Sequence, residues 1–85
     1  MGEYRIFFKK SVFKDVKSIP TDHLQQIMDR IQSLGNDPRP PGSQKLTGQE
    51  RYSIRQGAHR ITYSIQDREL TIWVVKLGHR KNIYR

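Results

Sequence analysis

Hydrophobic positions in the first half of the chain follow a strand period and then a helix period. Tyr4, Ile6 and Phe8 alternate with other residues, which predicts a first strand. A helical spacing follows, with Ser11 as the expected N-cap, and Pro20 ends this first helix. The apolar residues on one side of it are predicted to be Val12, Phe13, Val16 and Ile19.

The second helix has the strongest periodic signal in the sequence. Thr21 is its expected N-cap, and Gly35-Asn36 closes it. A stiff loop, residues 37–43, then leads into the second half of the chain. Apolar residues recur along the helix at intervals of three and four, at Leu24, Ile27, Met28, Ile31 and Leu34.

After the loop the hydrophobic period changes to two. Tyr52 and Ile54 alternate with polar residues, the turn Gly57-Ala58 follows, and residues 61–65 alternate again. A turn at Asp67-Arg68 precedes residues 70–77, which are nearly all apolar, as in a central strand covered on both faces. Trp73 of this strand is expected to belong to the core.

The order of strand, two helices and three strands predicts one domain, residues 1–85, of the α+β class. Two short turns favour an antiparallel meander, and grouped helices favour a second layer on one face. We therefore expect a two-layer fold. In it, the N-terminal strand joins an antiparallel or mixed four-stranded sheet, on which the helical hairpin packs.

The charge of the chain points to an anionic partner. It carries 16 Lys and Arg against 8 Asp and Glu, a net charge of +8. Residues 1–43 have seven basic and five acidic side chains, whereas residues 44–85 have nine and three. No apolar run approaches the roughly 20 residues that span a bilayer, and no signal-peptide pattern begins the chain. These features predict a cytoplasmic protein without a membrane partner.

Two arginines flank the first turn of the meander. Arg55 and Arg60 have the parity opposite to the apolar residues, so both are expected on the uncovered face of the sheet. Like charges side by side are unfavourable unless an anion bridges them. The pair therefore suggests a phosphate site, although a solvated strand face with scattered arginines fits the spacing equally well.

A second group of candidate residues follows the last strand. His79, Arg80, Lys81 and Tyr84 supply an imidazole, two cations and a phenol, and the meander would bring them beside Arg60. Cleavage of RNA through its 2′-hydroxyl requires proton transfer and stabilisation of a phosphorane, which such groups provide. The alternative is a solvated basic tail.

Lys45 and Arg51 are candidates for holding an RNA backbone, with ordinary surface charge as the alternative for each. The sequence lacks a P-loop, a dinucleotide-binding glycine motif and a metal-spaced histidine cluster. With only eight scattered acids, a two-metal nuclease is disfavoured. We expect no cofactor and no metal site.

The order and spacing of several short motifs cover nearly the whole chain. They are Lys45-Leu46-Thr47-Gly48, Tyr52-Ser53-Ile54-Arg55, Arg60-Ile61-Thr62-Tyr63 and Gly78-His79-Arg80-Lys81-Asn82-Ile83-Tyr84. With the helical hairpin before them, they resemble the RelE toxins of the RelE/ParE superfamily.

The resemblance implies an endoribonuclease toxin that enters the ribosomal A site and cuts messenger RNA without a metal. It also implies a RelB-like antitoxin, and operator DNA binding only through the toxin–antitoxin complex. By this resemblance, Arg60 stabilises the transition state, Arg80 lies near the leaving oxygen, and Tyr84 stacks on or orients the substrate. Arg55 matches a basic position, and Lys81 and Arg85 are further RNA-binding or ribosome-binding candidates.

One position departs from the family pattern. Some members carry a lysine, a candidate general base, where this chain has Ser53, so the base is unassigned and His79 is the preferred substitute.

Other functions compete with the nuclease. A ParE-like inhibitor of DNA gyrase shares the fold but generally lacks the set formed here by Arg60, Arg80 and Tyr84. A non-catalytic nucleic-acid-binding module would carry the same charge. A membrane-surface protein is disfavoured because Asp22 and Asp29 interrupt the polar face of the second helix.

Overall fold

The computed structural model describes residues 3–46, 48 and 51–79, with His79 described by its backbone alone. Its elements in chain order are β1 (Arg5–Phe8), α1 (Lys10–Lys17), α2 (Thr21–Ser33), β2 (Gln44–Lys45), β3 (Arg51–Gln56), β4 (His59–Gln66) and β5 (Thr71–His79).

The strands form one mixed sheet in the order β1-β5-β4-β3-β2. β1 runs parallel to β5, and the remaining neighbours are antiparallel. The predicted α+β fold with a helical layer on a mixed sheet is thus confirmed. The short strand β2, which pairs Gln44 with Ser53, extends the predicted four strands to five.

The core lies between the helices and one face of the sheet. Its buried side chains include Val12, Ile19, Ile27, Ile31, Leu34, Ile54, Ile61, Tyr63, Ile65, Ile72, Val74 and Leu77. The opposite face, which we call the open face, carries no helix in the part of the chain described. The expectation that β5 is covered on both faces was therefore wrong. Trp73 is half-buried on the open face and does not belong to the core.

A β-bulge in β5 explains its nearly continuous apolar sequence. Tyr63 pairs with Val74 and Thr62 with Lys76, so Val75 is an extra residue in β5. The extra residue changes the parity of the strand. Leu77 therefore enters the same core as Val74 although three positions separate them.

Side chains of α1 satisfy backbone groups beside this bulge. The Leu77 amide donates a hydrogen bond to Asp15 Oδ2 at 3.0 Å, and the Ser11 hydroxyl donates to the Val75 carbonyl at 3.1 Å. Lys76 Nζ lies 3.8 Å from Asp15 Oδ1. Helix α1 is therefore fastened to the irregular part of β5.

The expected helix caps were wrong. Lys9 is the N-cap of α1 and Pro20 the N-cap of α2, and neither makes a side-chain capping bond. Ser11 does not cap because its hydroxyl bonds to β5. Thr21 is already the first helical residue. Phe13, predicted on the apolar side of α1, is 61% exposed.

An ion pair secures the loop between α2 and β2. Arg39 binds Asp67 at 2.9 Å and donates to the Tyr52 hydroxyl at 3.1 Å, while Tyr4 also donates to Asp67 at 2.8 Å. Hydrogen bonds from Arg39 and Tyr4 lower the pKa of Asp67. The Tyr63 phenol donates to the Pro38 carbonyl at 2.7 Å, so two adjacent residues of the loop are anchored to the sheet and to the β4–β5 turn.

No helix within the described residues has the length and apolar character needed to cross a membrane.

Candidate functional site

Arg55 and Arg60 lie directly opposite each other on β3 and β4. The two-residue turn Gly57-Ala58 fixes this register, and Gly57 has a φ of +61°, which a side chain disfavours. The prediction that both arginines share the open face is confirmed. Arg55 is exposed and Arg60 is half-buried, so the side chain of Arg55 is more accessible to solvent than that of Arg60.

A groove of about 300 Å³ surrounds the two arginines. Its lining consists of Gly42, Gln44, Ser53, Ile54, Arg55 and Arg60. Arg60 Nη1 donates to the Ser53 hydroxyl at 3.5 Å, and Ser53 is only 2% exposed. The position that departs from the family pattern, Ser53, thus places a small hydroxyl beside the Arg60 guanidinium.

The two proposed backbone-binding residues occupy different places. Arg51 is exposed and pairs with Ser64, four residues along β3 from Arg55. Lys45 is exposed on β2 and pairs with Tyr52, whereas its neighbour Gln44 pairs with Ser53. The alternation of β2 therefore brings Gln44, and not Lys45, into the groove beside Arg60.

The strand that carries the C-terminal candidates runs beside Arg60. Gly78 is the β5 residue opposite Arg60, and His79 is paired with His59. The chain therefore leaves β5 at the end of the sheet where Arg55 and Arg60 lie. Arg80, Lys81, Tyr84 and Arg85 lie outside the described residues.

A second depression, of about 400 Å³, lies between α1, the start of α2 and the ends of β4 and β5. His23 and His59 contact each other there edge to face, with ring centroids 5.6 Å apart. Asp15 and Lys76 also line it. His59 is buried on the helix side of the sheet, so it does not share a face with Arg60.

Sequence reasoning missed Gln44 and Gly42 as groove residues. Gln44 carries no motif, and its place depends on a two-residue strand that periodicity cannot detect. Gly42 has a φ of +94° with open space around its α-carbon. A loop rich in proline and glycine was the one available signal that this segment turns sharply.

The groove is chemically suited to a phosphate group. Two guanidinium groups supply charge and several donors, and a buried hydroxyl and an amide side chain supply further hydrogen bonds. No group of three or more histidine, aspartate or glutamate residues that could hold a metal ion occurs among the described residues.

Comparisons with known proteins agree on one family. The family model described as "ParE toxin of type II toxin-antitoxin system, parDE" matches residues 6–84. Toxin RelG of Mycobacterium tuberculosis is 27% identical over 86 residues, which cover 96% of this chain and 97% of that protein.

Solved structures share the fold. The archaeal RelE–RelB complex from Pyrococcus horikoshii matches with a TM-score of 0.78 and 27% identity, covering 92% of this chain and 96% of that one. The toxin–antitoxin complex RelBE2 from Mycobacterium tuberculosis has a TM-score of 0.82 over 92% of this chain and 99% of that one. Because its sequence identity is only 22%, this match supports a shared fold and nothing further.

Proposed function

This chain belongs to the ParE toxin family of type II toxin–antitoxin systems and is a RelE-type toxin of the RelE/ParE superfamily, and on that premise we propose that it is an endoribonuclease. Its substrate is messenger RNA in the ribosomal A site, and cleavage inhibits translation. The observation that carries the proposal is the Arg55–Arg60 pair in an open groove beside the end of β5.

The reaction needs no metal in this proposal. The 2′-hydroxyl of one nucleotide loses its proton and attacks the adjacent phosphorus, the bond to the 5′-oxygen of the next nucleotide breaks, and that oxygen takes up a proton from water as it leaves. The products are a 2′,3′-cyclic phosphate and a 5′-hydroxyl. Arg60 stabilises the additional negative charge of the phosphorane, a role for which fixed cations are effective.

The remaining predicted residues have supporting roles. Arg55 binds the same phosphate from the exposed side of the groove. His79 accepts the proton of the 2′-hydroxyl, Arg80 lies near the leaving 5′-oxygen, and Tyr84 stacks on or orients the substrate. The other cations, Lys45, Arg51, Lys81 and Arg85, bind the RNA or ribosome backbone.

We further propose that a RelB-like antitoxin binds this chain in the cytoplasm and holds it inactive. Relatives with the same fold are solved as RelE–RelB complexes, which supports such a partner. Binding to operator DNA then takes place only through the toxin–antitoxin complex.

A translating-ribosome assay tests the nuclease. Purified chain is added to programmed ribosomes, and primer extension maps cuts in the message. We expect cuts in the A-site codon that yield a 5′-hydroxyl end. A single 2′-deoxynucleotide placed at the cut position should prevent cleavage there, because it lacks the attacking 2′-hydroxyl. Arg60→Ala should reduce cleavage by at least about 100-fold, as loss of an oxyanion-stabilising donor does. Arg68→Ala, in the distant β4–β5 turn, is the matched control and should cut normally.

The family model also names ParE toxins, so a parallel supercoiling assay with DNA gyrase is informative. Inhibition of gyrase without any cut in the message would replace the nuclease with a ParE-like activity. RNA binding without either effect would make the chain a non-catalytic binding module.

A further inference from the structure

An exposed aromatic pair lies on the open face where β1 meets β5. Phe7 pairs with Trp73 in the parallel register, and their rings lie 5.1 Å apart with a tilt of 31°. Phe7 is 40% exposed, and neither ring belongs to the core. Lys9 Nζ lies 4.6 Å from the centre of the Trp73 ring, a cation–π distance.

The open face around this pair carries cationic side chains among neutral ones. Phe7 follows Arg5 on the same face of β1, and Trp73 lies in one row with Ser64 and Arg51 across β4 and β3. The described strand residues on this face include four arginines and no carboxylate, the arginines being Arg5, Arg51, Arg55 and Arg60. The surface therefore favours a polyanion that also carries flat apolar groups.

We propose that Phe7, Trp73 and Lys9 form a stacking platform for an unpaired base of RNA. Lys9 covers one face of the indole, and the exposed ring of Phe7 offers a face on which a base stacks while the ammonium faces a phosphate. An acidic peptide would satisfy the cations but would leave the aromatic ring without a flat partner. A nucleotide supplies both components.

The platform and the groove are placed for one RNA strand. Ser64, in the row of Trp73, lies four residues along β4 from Arg60, so the platform is displaced from Arg60 by roughly 13 Å along the strands and by one to two strand spacings of about 5 Å across them. A few nucleotides span such a distance. The inference deepens the proposed function, on which it rests, because it assigns the substrate RNA a second contact away from the cleaved bond.

Trp73 is the one tryptophan of the sequence, so its fluorescence reports on the platform directly. The full chain is titrated with a 2′-O-methyl oligoribonucleotide, which binds but cannot be cleaved through its 2′-position. We expect saturable quenching. Phe7→Leu, which keeps an apolar side chain without a π-face, should weaken affinity about 5- to 150-fold, the range for one stacked base. Phe7→Tyr, the matched control, should stay within about twofold of the unaltered chain.

A second measurement does not depend on any variant. Oligonucleotides with one abasic site, moved along the strand, should bind the unaltered chain more weakly at one position by a similar factor. Phe7→Leu should show no such position. Equal affinity of Phe7→Leu, Phe7→Tyr and the unaltered chain, or equal quenching by inorganic tripolyphosphate, would overturn the platform. The platform would also be overturned if Phe7→Leu weakened binding of the antitoxin alone, because the aromatic pair would then be a protein-docking surface.

The binding and cleavage results are scored separately. If the unaltered chain shows the abasic-site effect but cuts no message, the stacking platform is supported and the proposed nuclease activity is wrong. If cleavage depends on Arg60 but the fluorescence of Trp73 does not respond to RNA, the nuclease activity is supported and the stacking platform is wrong.

Discussion

At the scale of single residues, the two facing arginines of the groove are expected to lower the stability of the sheet and, in the proposed function, to bind a phosphate. Like charges directly opposite on neighbouring strands destabilise a sheet. Arg55 and Arg60 occupy such positions, directly opposite each other on β3 and β4. A phosphate bound between them, as proposed above, would relieve this repulsion, so binding affinity and stability are expected to change in opposite directions on substitution.

Arg55→Gln should therefore raise the free energy of unfolding by about 0.2–1 kcal/mol at low salt, because the cross-strand repulsion disappears. Arg51→Gln is the matched control, since Arg51 faces Ser64 and not another cation. Urea unfolding at low and at high salt measures the effect, which screening should reduce. A destabilised Arg55→Gln protein would contradict the account.

Tyr63 gives the fold a dependence on alkaline pH. Burial raises the pKa of its phenol to about 12, and the hydroxyl donates to the Pro38 carbonyl. In the unfolded chain the phenol ionises near pH 10, so the unfolded state loses its proton first as pH rises. The stabilisation from this group is complete below pH 10 and is lost between pH 10 and about 12.

Tyr63→Phe should cost about 1 kcal/mol at pH 8, where one hydrogen bond is lost. Its unfolding free energy should then fall less steeply than that of the unaltered chain above pH 10. Chemical denaturation across this pH range measures the difference. Parallel curves for the two proteins would show that another group causes the alkaline loss.

At the scale of elements, a side chain of α1 supplies the hydrogen-bond acceptor for a backbone amide beside the bulge of β5. Asp15→Ala should reduce stability by about 1–3 kcal/mol, because the buried Leu77 amide loses its acceptor. Asp15→Asn keeps an oxygen acceptor and should lose less. Lys76→Gln removes the ion pair alone and should change stability by about 1 kcal/mol at most. Urea unfolding ranks the three, and a Lys76→Gln loss equal to that of Asp15→Ala would assign the effect to charge.

The elements differ in how far the sequence predicts them. The spacing of the apolar residues Leu24, Ile27 and Ile31 is that of one face of an amphipathic helix. The helix α2 confirms this prediction. The alternation of β3 and β4 around Gly57 likewise leaves one register, which places Arg55 opposite Arg60.

The remaining features depend on tertiary contacts. A run of apolar residues in β5 fits a strand buried on both faces as well as a bulged strand, and the bulge occurs where α1 donates and accepts hydrogen bonds to β5 through Ser11 and Asp15. Ser11 has the chemistry of a cap but bonds to a distant carbonyl. The groove residue Gln44 depends on β2, whose two residues are too few for any period.

At the scale of the whole molecule, the two faces of the sheet differ in chemical character. One face carries the apolar core under the helices, and the open face carries arginines and an aromatic pair. A net charge of +8 on 85 residues makes the free chain self-repelling and makes polyanion binding depend on salt.

The affinity for the 2′-O-methyl oligonucleotide should fall with salt. If the four open-face arginines contact phosphates, the slope of log affinity against log salt is about −3, at roughly 0.7 per contact on a single strand. Arg51→Gln should reduce the slope by about 0.7, and Arg68→Gln should leave it unchanged. Fluorescence titrations at several salt concentrations provide the slope. A value near zero would mean that the open face does not contact the RNA backbone.

The bulge in β5 also has a consequence for how such a sequence diverges. Asp15 and Leu77 are 62 positions apart, yet α1 and the irregular end of β5 meet at the hydrogen bond between them. Deleting the residue at position 75 would move the Leu77 amide relative to α1, so its effect on stability should not simply add to that of a change at position 15. The length of the strand and the side chain on the helix are therefore expected to change together as related sequences diverge.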